Sequence, residues 1–522
     1  MIEQKKIATG PVVLAIIDGW GIAPDSESNP ITKTPKPAFK KLYSEGRHTR
    51  LWAHGEYVGL PKDQDGNSEA GHLNLGAGRV VKQDAVVINE AIKDKTFFKN
   101  PAFMEAIQHV KRNNSAMHLV GMLSDGQSAH ATPEHLYALL DMMAACGIEK
   151  VFLHVFTDGR DSKSNSGKYQ LGEAIKHLQP NQKIATVMGR FYAMDRKKQW
   201  NRTKMAYDAL VFGTGINAQD PLEIFDKYYA EGKSDEYIEP HVLTENGQPV
   251  GVISDNDSVI FFNHRSDRAR QLTKPFVQKD FTHRNQNAFA PAKVPKNVRF
   301  VAMTDFGPDL GDILTAYPSI DITKALPSVL SHKRQLYIAE SEKYAHMTYF
   351  FNGGFANPVG GENRIMIPSP DVKHYDETPA MSTVALTDAV LKGIEDGYDF
   401  IAFNYACTDM IAHTGNFEAA QKSIQAVDES LARISTIIGQ RHGVLVVTAD
   451  HGNIEEMKDL STKEIDTEHS KNQVPCIIWC ESCAQVDLRE EGILADVAPT
   501  ILDIFGITQP SVMTGKSLLI RN

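Results

Sequence analysis

Cysteine is scarce in this chain, with five in 522 residues. That suits a reducing compartment and argues against a scaffold built on disulfides. Long apolar runs are missing too: none reaches the roughly 18 residues that a membrane span needs. The first run, VVLAIID, is short and ends in Asp18, so a buried strand is expected there rather than a signal sequence. An excess of positive charge is also lacking. The 55 Lys+Arg are outnumbered by 65 Asp+Glu for a net charge of −10, which weighs against nucleic acid or an anionic membrane as partner. The cytoplasm is the expected location. Three cysteines, Cys476, Cys480 and Cys483, have a C-x3-C-x2-C spacing that occurs in iron–sulfur enzymes, but the first two stand in the apolar run VPCIIWC. Free cysteine is among the most buried residue types, so core packing is expected for them.

What is present describes a globular enzyme-sized protein. Apolar residues make up 42% and charged residues 23%, and the length exceeds one ordinary core, so at least two domains are expected. Up to Val81, and again from about Ser319 to the end, apolar strand-like runs alternate with helical stretches such as GNFEAAQKSIQAVDESLARISTIIGQ. Alternation of this kind predicts an α/β fold, with a mostly parallel sheet, covering helices, and ligands at the carboxyl ends of strands. The middle has its own rhythm: MHLVGMLSD, KVFLHVFTDGRD, KIATVMGRFYAMDR and SVIFFNHRSDRAR each run from a strand into a charged loop. A second α/β domain inserted into the first is expected, at residues 83–316 within a discontinuous domain of 1–82 and 317–522. Gly and Pro place the two hinges near residues 76–83 and 305–312.

The outer segments carry the residues that hold metals. Asp18 ends one apolar run, Asp409 and His413 follow another, Asp450 and His451 a third, and His469 stands in DTEHS. Carboxylate and imidazole without thiolate suit hard or borderline divalent cations. Asp409 and His413, spaced i, i+4, share one face if the chain turns helical there. Asp450 and His451 are adjacent and serve one ion only from a loop, whose tight backbone Gly452 would permit. Ser68, in GNSEAGH, reads two ways: as a helix N-cap, or as a nucleophile whose proton two nearby metals would help to remove. The loops of the middle stretch carry Arg160, Asp161, Arg190, Arg196, Arg265 and Arg268. The planar fork of arginine suits carboxylate and phosphate oxygens.

These motifs resemble one family. DGWG (18–21), GNSEAGHLNLGAGR (66–79), TDGRD (157–161), GRFYAMDR (189–196) and FFNHRSDRARQLT (261–273) are similar to the cofactor-independent, or 2,3-bisphosphoglycerate-independent, phosphoglycerate mutases of the alkaline phosphatase superfamily. So are SEKYAHMTYFFNGG (341–354), NYACTDMIAHTG (404–415), TADHGN (448–453) and MTGKSL (513–518), in the same order and over nearly the whole chain. The resemblance implies an alkaline-phosphatase-like parallel-sheet domain with the second α/β domain inserted through two hinges. It implies two manganese ions, with cobalt or magnesium as alternatives. One would lie on Asp18, Ser68, Asp450 and His451, the other on Asp409, His413 and His469. Ser68 would become phosphoserine. His130, Arg160, Asp161, Arg190, Arg196, Arg265, Arg268 and Lys343 would bind phosphoglycerate, with Asp161 as the base moving a proton between the two hydroxyls. His130 stands one residue later than the family's histidine, in SDGQSAHATPEH, and SKSNSG (162–167) replaces a proline-containing run.

The implied activity is the interconversion of 2- and 3-phosphoglycerate in glycolysis and gluconeogenesis, by a monomer whose partner is this small molecule alone. A metal-dependent phosphatase, or another phosphomutase of the superfamily, is the alternative, because the metal ligands and the serine are common to all of them. The arginine-rich insertion favours the mutase: it would retain glycerate, and closure of two domains would exclude water while phosphoserine exists.

Overall fold

The structure, a computed structural model, describes residues 9–126, 128–307, 309–311, 313–319, 322–480 and 486–520. The chain divides into two compact units. The first comprises Met1–Gln83 with Asp321–Asn522, and the second Asp84–Ile320. Among the described residues no helix is long and apolar enough to cross a membrane.

The first unit is built on an eight-stranded sheet. Its centre is Val12–Ile17, hydrogen-bonded in parallel to Phe400–Tyr405 on one side and Val444–Thr448 on the other. Gln335–Glu340 and then Asn363–Ile367 extend the parallel set beyond Phe400–Tyr405. Val474–Trp479 and Arg47–Trp52 add antiparallel pairings at the far side, and Glu491–Ile493 closes the order. The strands Val12–Ile17, Gln335–Glu340 and Phe400–Tyr405 are buried along their whole length, as expected when helices cover both faces of a parallel sheet. The longest cover is the helix Phe417–Gln440, whose first turn is capped by the Asn416 side chain accepting from the Ala419 N–H. Ala420, Ile424, Val427, Leu431, Ile434 and Ile438 recur on its buried face at steps of three and four. The helical pattern read from the sequence lies on this element.

The second unit has its own sheet. From one edge it runs Leu314–Tyr317, Arg299–Thr304, Ser258–Phe261, Met117–Met122, Val151–Thr157, Gln182–Gly189, His241–Glu245 and Ile216–Ala218, with Gln248–Pro249 paired to His241–Glu245. Met117–Met122 and Val151–Thr157 are the parallel centre. The DFGPDLGD loop joins Arg299–Thr304 to Leu314–Tyr317, which pair in parallel within this same sheet. The chain therefore returns to the first unit only after this last strand, at 320–321, rather than within the 305–312 loop. Cys476 is a fully buried free thiol. Cys480 is buried but disulfide-bonded, so it is not the packed free thiol expected from its apolar run; Cys483 lies outside the described residues.

Candidate active site

In the first unit the parallel strands deliver their C-terminal residues to one edge. Asp18 follows Val12–Ile17, Asp409 follows Phe400–Tyr405, Asp450 and His451 follow Val444–Thr448, and Lys343 ends the turn after Gln335–Glu340. Asp409 lies in the helix Cys407–Ala412 with His413 as its C-cap, which puts the two side chains on one face, with His413 Nε2 3.4 Å from Asp409 Oδ1. His469 Nε2 is 3.5 Å from that oxygen and 3.2 Å from His413 Nε2.

Ser68 is the first residue of the helix Ser68–Ala77. The cap is its neighbour Asn67, whose side chain accepts from the Ala70 N–H. The capping role therefore falls to Asn67 and leaves the serine hydroxyl available. Ser68 Oγ donates to Asp18 Oδ1 at 3.2 Å, lies 3.0 Å from His451 Nε2, and accepts from Lys343 Nζ at 2.8 Å. The Lys343 ammonium, 5% exposed, also donates to Asp18 Oδ1 and Asp409 Oδ2, each at 2.7 Å. His451 Nε2 is 3.6 Å from Asp450 Oδ2 and 3.5 Å from Asp18 Oδ1. All seven residues expected to hold metal are thus gathered in this unit.

Several groups that sequence reasoning did not single out support them. His72, one helical turn after Ser68, lies 3.2 Å from Asp450 Oδ2 and donates from Nδ1 to the Ser68 carbonyl at 2.9 Å. Asn404 donates to Asp18 Oδ2 at 2.6 Å, and Asn453 to Asp409 Oδ1 at 2.8 Å. The i, i+4 spacing of Ser68 and His72 was the available signal. Nothing local marks the two asparagines. Gly452 serves differently from the expectation. Its φ is not left-handed; instead, a Cβ there would lie 2.3 Å from Ser470 Oγ and 2.5 Å from Glu455 Oε1.

The donor chemistry fits divalent cations. Asp18, Asp409 and Asp450 are three carboxylates at most 2% exposed, and burial of unpaired charge is costly. The ring nitrogens are oriented as well: Nδ1 of His413, His469 and His451 donates to the carbonyls of Thr467, Gly66 and Gly452, which turns each Nε2 toward the carboxylates. That second contact is what ligand histidines ordinarily make. Two three-residue groups, Asp409 with His451 and His469, and Asp18 with His72 and Asp450, have converging donor atoms. The titration directions agree. Burial alone would raise the Asp409 carboxyl, but Lys343 and the surrounding histidines hold it well below the usual range. Burial alone would lower the His451 imidazole, but Asp450, Asp18 and Asp409 push it up to about 10.

The second unit gathers the arginines. The turn TDGRD places Gly159 at φ +65°, and Asp158 Oδ1 accepts from the N–H groups of Arg160 and Asp161. The Arg190 guanidinium, 2% exposed, pairs with Asp158 and, at 2.8 Å, with Asp161 Oδ2. Ser128 Oγ also donates to Asp161 Oδ2 at 3.0 Å. Arg196 and Arg265 pair with Asp267, and His130 lies 3.7 Å from Asp267 and 4.0 Å from Asp161. Arg160 lies 3.8 Å from Glu236. Arg268 donates to the Met194 carbonyl; burial lowers its pKa, and so do its neighbours Arg190, Arg196 and Arg160. Burial and Arg190 push the His130 imidazole down to about 4, so it is neutral at physiological pH. The arrangement is a cluster of guanidinium groups with fixed carboxylates between the forks. Asp158 and Asp267, which the sequence did not mark, are what align them.

Comparison with known proteins places these features in a family. The model of the N-terminus of BPG-independent phosphoglycerate mutases matches residues 88–308. The 2,3-bisphosphoglycerate-independent phosphoglycerate mutase of Clostridium novyi (strain NT) is 44% identical over 517 residues, covering 98% of this chain and 100% of that protein. The second such enzyme of Methanosarcina barkeri (strain Fusaro) is 45% identical over 535 residues, covering 99% of each. Among solved structures, Leishmania mexicana phosphoglycerate mutase at low cobalt concentration superposes with a TM-score of 0.75 at 28% identity, covering 100% of this chain and 99% of that one. Similarity over full length extends to both units, the inserted arginine-bearing one included, so the mutase reading stands over that of a simple phosphatase. The chain belongs to the 2,3-bisphosphoglycerate-independent phosphoglycerate mutases, the metal-dependent isomerases that interconvert 2- and 3-phosphoglycerate.

Proposed function

We propose that Ser68 is the nucleophile of this isomerisation and is phosphorylated during each turnover. The observation that carries the reading is the position of its hydroxyl, within 3.2 Å of Asp18, His451 and Lys343 at the edge of a parallel sheet. Two manganese ions, with cobalt or magnesium able to replace them, would be held by Asp18, Ser68, Asp450 and His451 and by Asp409, His413 and His469. The all-oxygen-and-nitrogen donor set supports borderline or hard ions, and the Leishmania mexicana relative was solved at low cobalt concentration. When bound, such ions lower the pKa of a coordinated hydroxyl and neutralise phosphoryl oxygens.

The chain's own residues do the rest. With its proton lost, Ser68 Oγ attacks the phosphorus in line; the P–O bond to glycerate breaks and a phosphoserine forms, and attack by the other glycerate hydroxyl then breaks the Oγ–P bond and releases Ser68. Lys343 Nζ, already 2.8 Å from Ser68 Oγ, stabilises charge on the transferring group. Arg160, Arg190, Arg196, Arg265 and Arg268, with neutral His130, hold the glycerate by its carboxylate and hydroxyls. Asp161 takes the proton from the hydroxyl about to attack and returns it to the one just freed. Burial opposes its ionisation, but Arg190 and Ser128 hold its carboxyl below the usual range, so it is ready to accept. We place this chemistry in a cytoplasmic monomer.

Incubating the manganese-loaded enzyme with 3-phosphoglycerate, without 2,3-bisphosphoglycerate, tests the reading. Quenching and peptide mapping should find phosphate on Ser68, with 2-phosphoglycerate formed and little inorganic phosphate released. Phosphate on another side chain, or full turnover by Ser68→Ala, would sink it.

A further inference from the structure

We propose that Glu455 is a positioning residue that ties three ligand-bearing loops together and thereby sets the affinity of the site for its metal. The inference rests on the reading of Asp18, Asp450, His451 and His469 as metal ligands. Glu455 is 0% exposed, and no basic side chain contacts it among the described residues. Its partners are instead four hydrogen-bond donors drawn from three separate stretches of chain. Oε2 accepts from the Gly21 N–H at 2.8 Å and the Asn453 N–H at 2.9 Å. Oε1 accepts from the Ser470 hydroxyl and, at 3.0 Å, from Asn472 Nδ2. Gly21 lies three residues after Asp18, Asn453 two after His451, and Ser470 directly after His469. One carboxylate thus reaches every loop that carries those four residues, while touching none of them.

The surrounding chain is shaped to admit this carboxylate. A Cβ at Gly21 would lie 2.2 Å from Glu455 Oε1, and one at Gly452 would lie 2.5 Å from it. Gly21 is required by Glu455 and Gly452 by Ser470 and Glu455 together, rather than by their own backbone angles, since neither has a positive φ. The other ties between these loops are main-chain bonds and single side-chain bonds, among them Ile22 N–H to the Gln473 carbonyl at 2.8 Å and Met457 N–H to the Ser28 carbonyl at 3.0 Å; among the described residues Glu455 is the one carboxylate that bonds to all three. Gly452 and Ser470 form one isolated bridge, Gly19 accepts from the Ile454 N–H, and Gly19 N–H donates to Asp450 Oδ1 at 3.2 Å. Ligand loops free of regular structure lose geometry easily, and a buried acceptor with four donors is a strong constraint on them.

The two kinds of substitution separate positioning from mere bulk. In Glu455→Gln one oxygen remains for the two backbone N–H groups, and Ser470 and Asn472 can each turn to present an acceptor to the new amide. In Glu455→Ala all four donors lose their partner. Manganese titration calorimetry on chelator-stripped protein, at a temperature where circular dichroism shows each variant folded, should find Kd raised about tenfold for Glu455→Gln and about 100-fold or more for Glu455→Ala. At saturating manganese, Glu455→Gln should recover most of its kcat, because the ligands themselves are intact. Should Glu455→Ala not fold, Glu455→Gln decides alone. A manganese Kd within twofold of the parent in the folded variants overturns the proposal. Asp450→Asn is the control: if it binds manganese as tightly as the parent, the ligand assignment fails instead, and the two failures are told apart.

Discussion

Replacing Lys343 with methionine keeps most of the side-chain volume but deletes the ammonium that Asp18, Asp409 and Ser68 share. In the metal-free protein this leaves Asp18 and Asp409, with Asp450 behind them, buried with histidines as their only cationic partners among the described residues, chiefly the His451 imidazolium. Removing one partner of a buried pair costs about 3–5 kcal/mol. At roughly 2–4 °C per kcal/mol, the melting temperature of chelator-treated protein should fall by roughly 6–20 °C. Proton uptake can replace the lost charge, and it becomes easier on acidification. The deficit should therefore shrink on acidification, by at most about 1.4 kcal/mol per pH unit while one carboxyl takes up a proton. Manganese should shrink it further, because two divalent charges neutralise the same carboxylates and bind only the folded state. The assay is differential scanning calorimetry of both proteins in chelator and in excess manganese, at pH 6, 7 and 8. A drop under about 2 °C in chelator, or the same drop with and without manganese, would refute the account of Lys343 as a cation held by these carboxylates.

Ser68→Ala should abolish mutase turnover in a coupled assay while shifting the melting temperature by no more than roughly 2–4 °C, since one neutral hydrogen-bonding hydroxyl contributes only about 1 kcal/mol. The raised His451 pKa of about 10 means that the metal-free protein carries a proton there that binding must displace. Manganese affinity should tighten roughly tenfold per pH unit between about 6.5 and 9, and calorimetry in buffers of different ionisation enthalpy should count the released proton; an affinity flat in pH would contradict this. The same proton stabilises the metal-free fold: its contribution is complete below the unfolded value near 6.5 and is lost as pH rises through about 10, so the chelated protein should melt progressively lower across that window. Asp158→Asn keeps an acceptor for the Arg160 and Asp161 N–H groups but removes the charge facing buried Arg190. It should cost roughly 10–100-fold in kcat/KM, the worth of a charged hydrogen bond of about 1.5–3 kcal/mol; a loss under threefold would show that Arg190 needs no such alignment.

Much of this was legible where the information is local. Strand-like runs ending in Asp18 and Asp450, and the i, i+4 pair Asp409 and His413, can be read because period and position decide them. The arginines of TDGRD, GRFYAMDR and RSDRAR stood out by type and by their place after strands. What could not be read depends on contacts between distant parts of the chain. Nothing near Gly21 says that its N–H will meet Glu455, and nothing near Asn404 says that it will brace Asp18. The carboxylates Asp158 and Asp267 look like ordinary loop acids until the folded chain sets arginines against them. The return of the chain to its first unit was misplaced for a similar reason. Gly and Pro in DFGPDLGD mark a turn, but only the pairing of Leu314–Tyr317 with Arg299–Thr304 shows that the turn lies inside the second unit.

The central strand of the first sheet, Val12–Ile17, has its two neighbours at Phe400–Tyr405 and Val444–Thr448. On a ribosome adding about 5–20 residues per second, the strand emerges tens of seconds before either neighbour exists. During that interval Asp84–Ile320 has all of its own strands and can fold, whereas VVLAII waits as an unpaired apolar segment. The topology thus lets the insertion close first, whereas the sheet that carries Ser68 can be completed only after Val444–Thr448, Val474–Trp479 and Glu491–Ile493 have been made. Until Phe400–Tyr405 is made VVLAII has no partner strand, and arrest of translation before Val444 would release an aggregation-prone strand attached to a second unit that has all of its described strands.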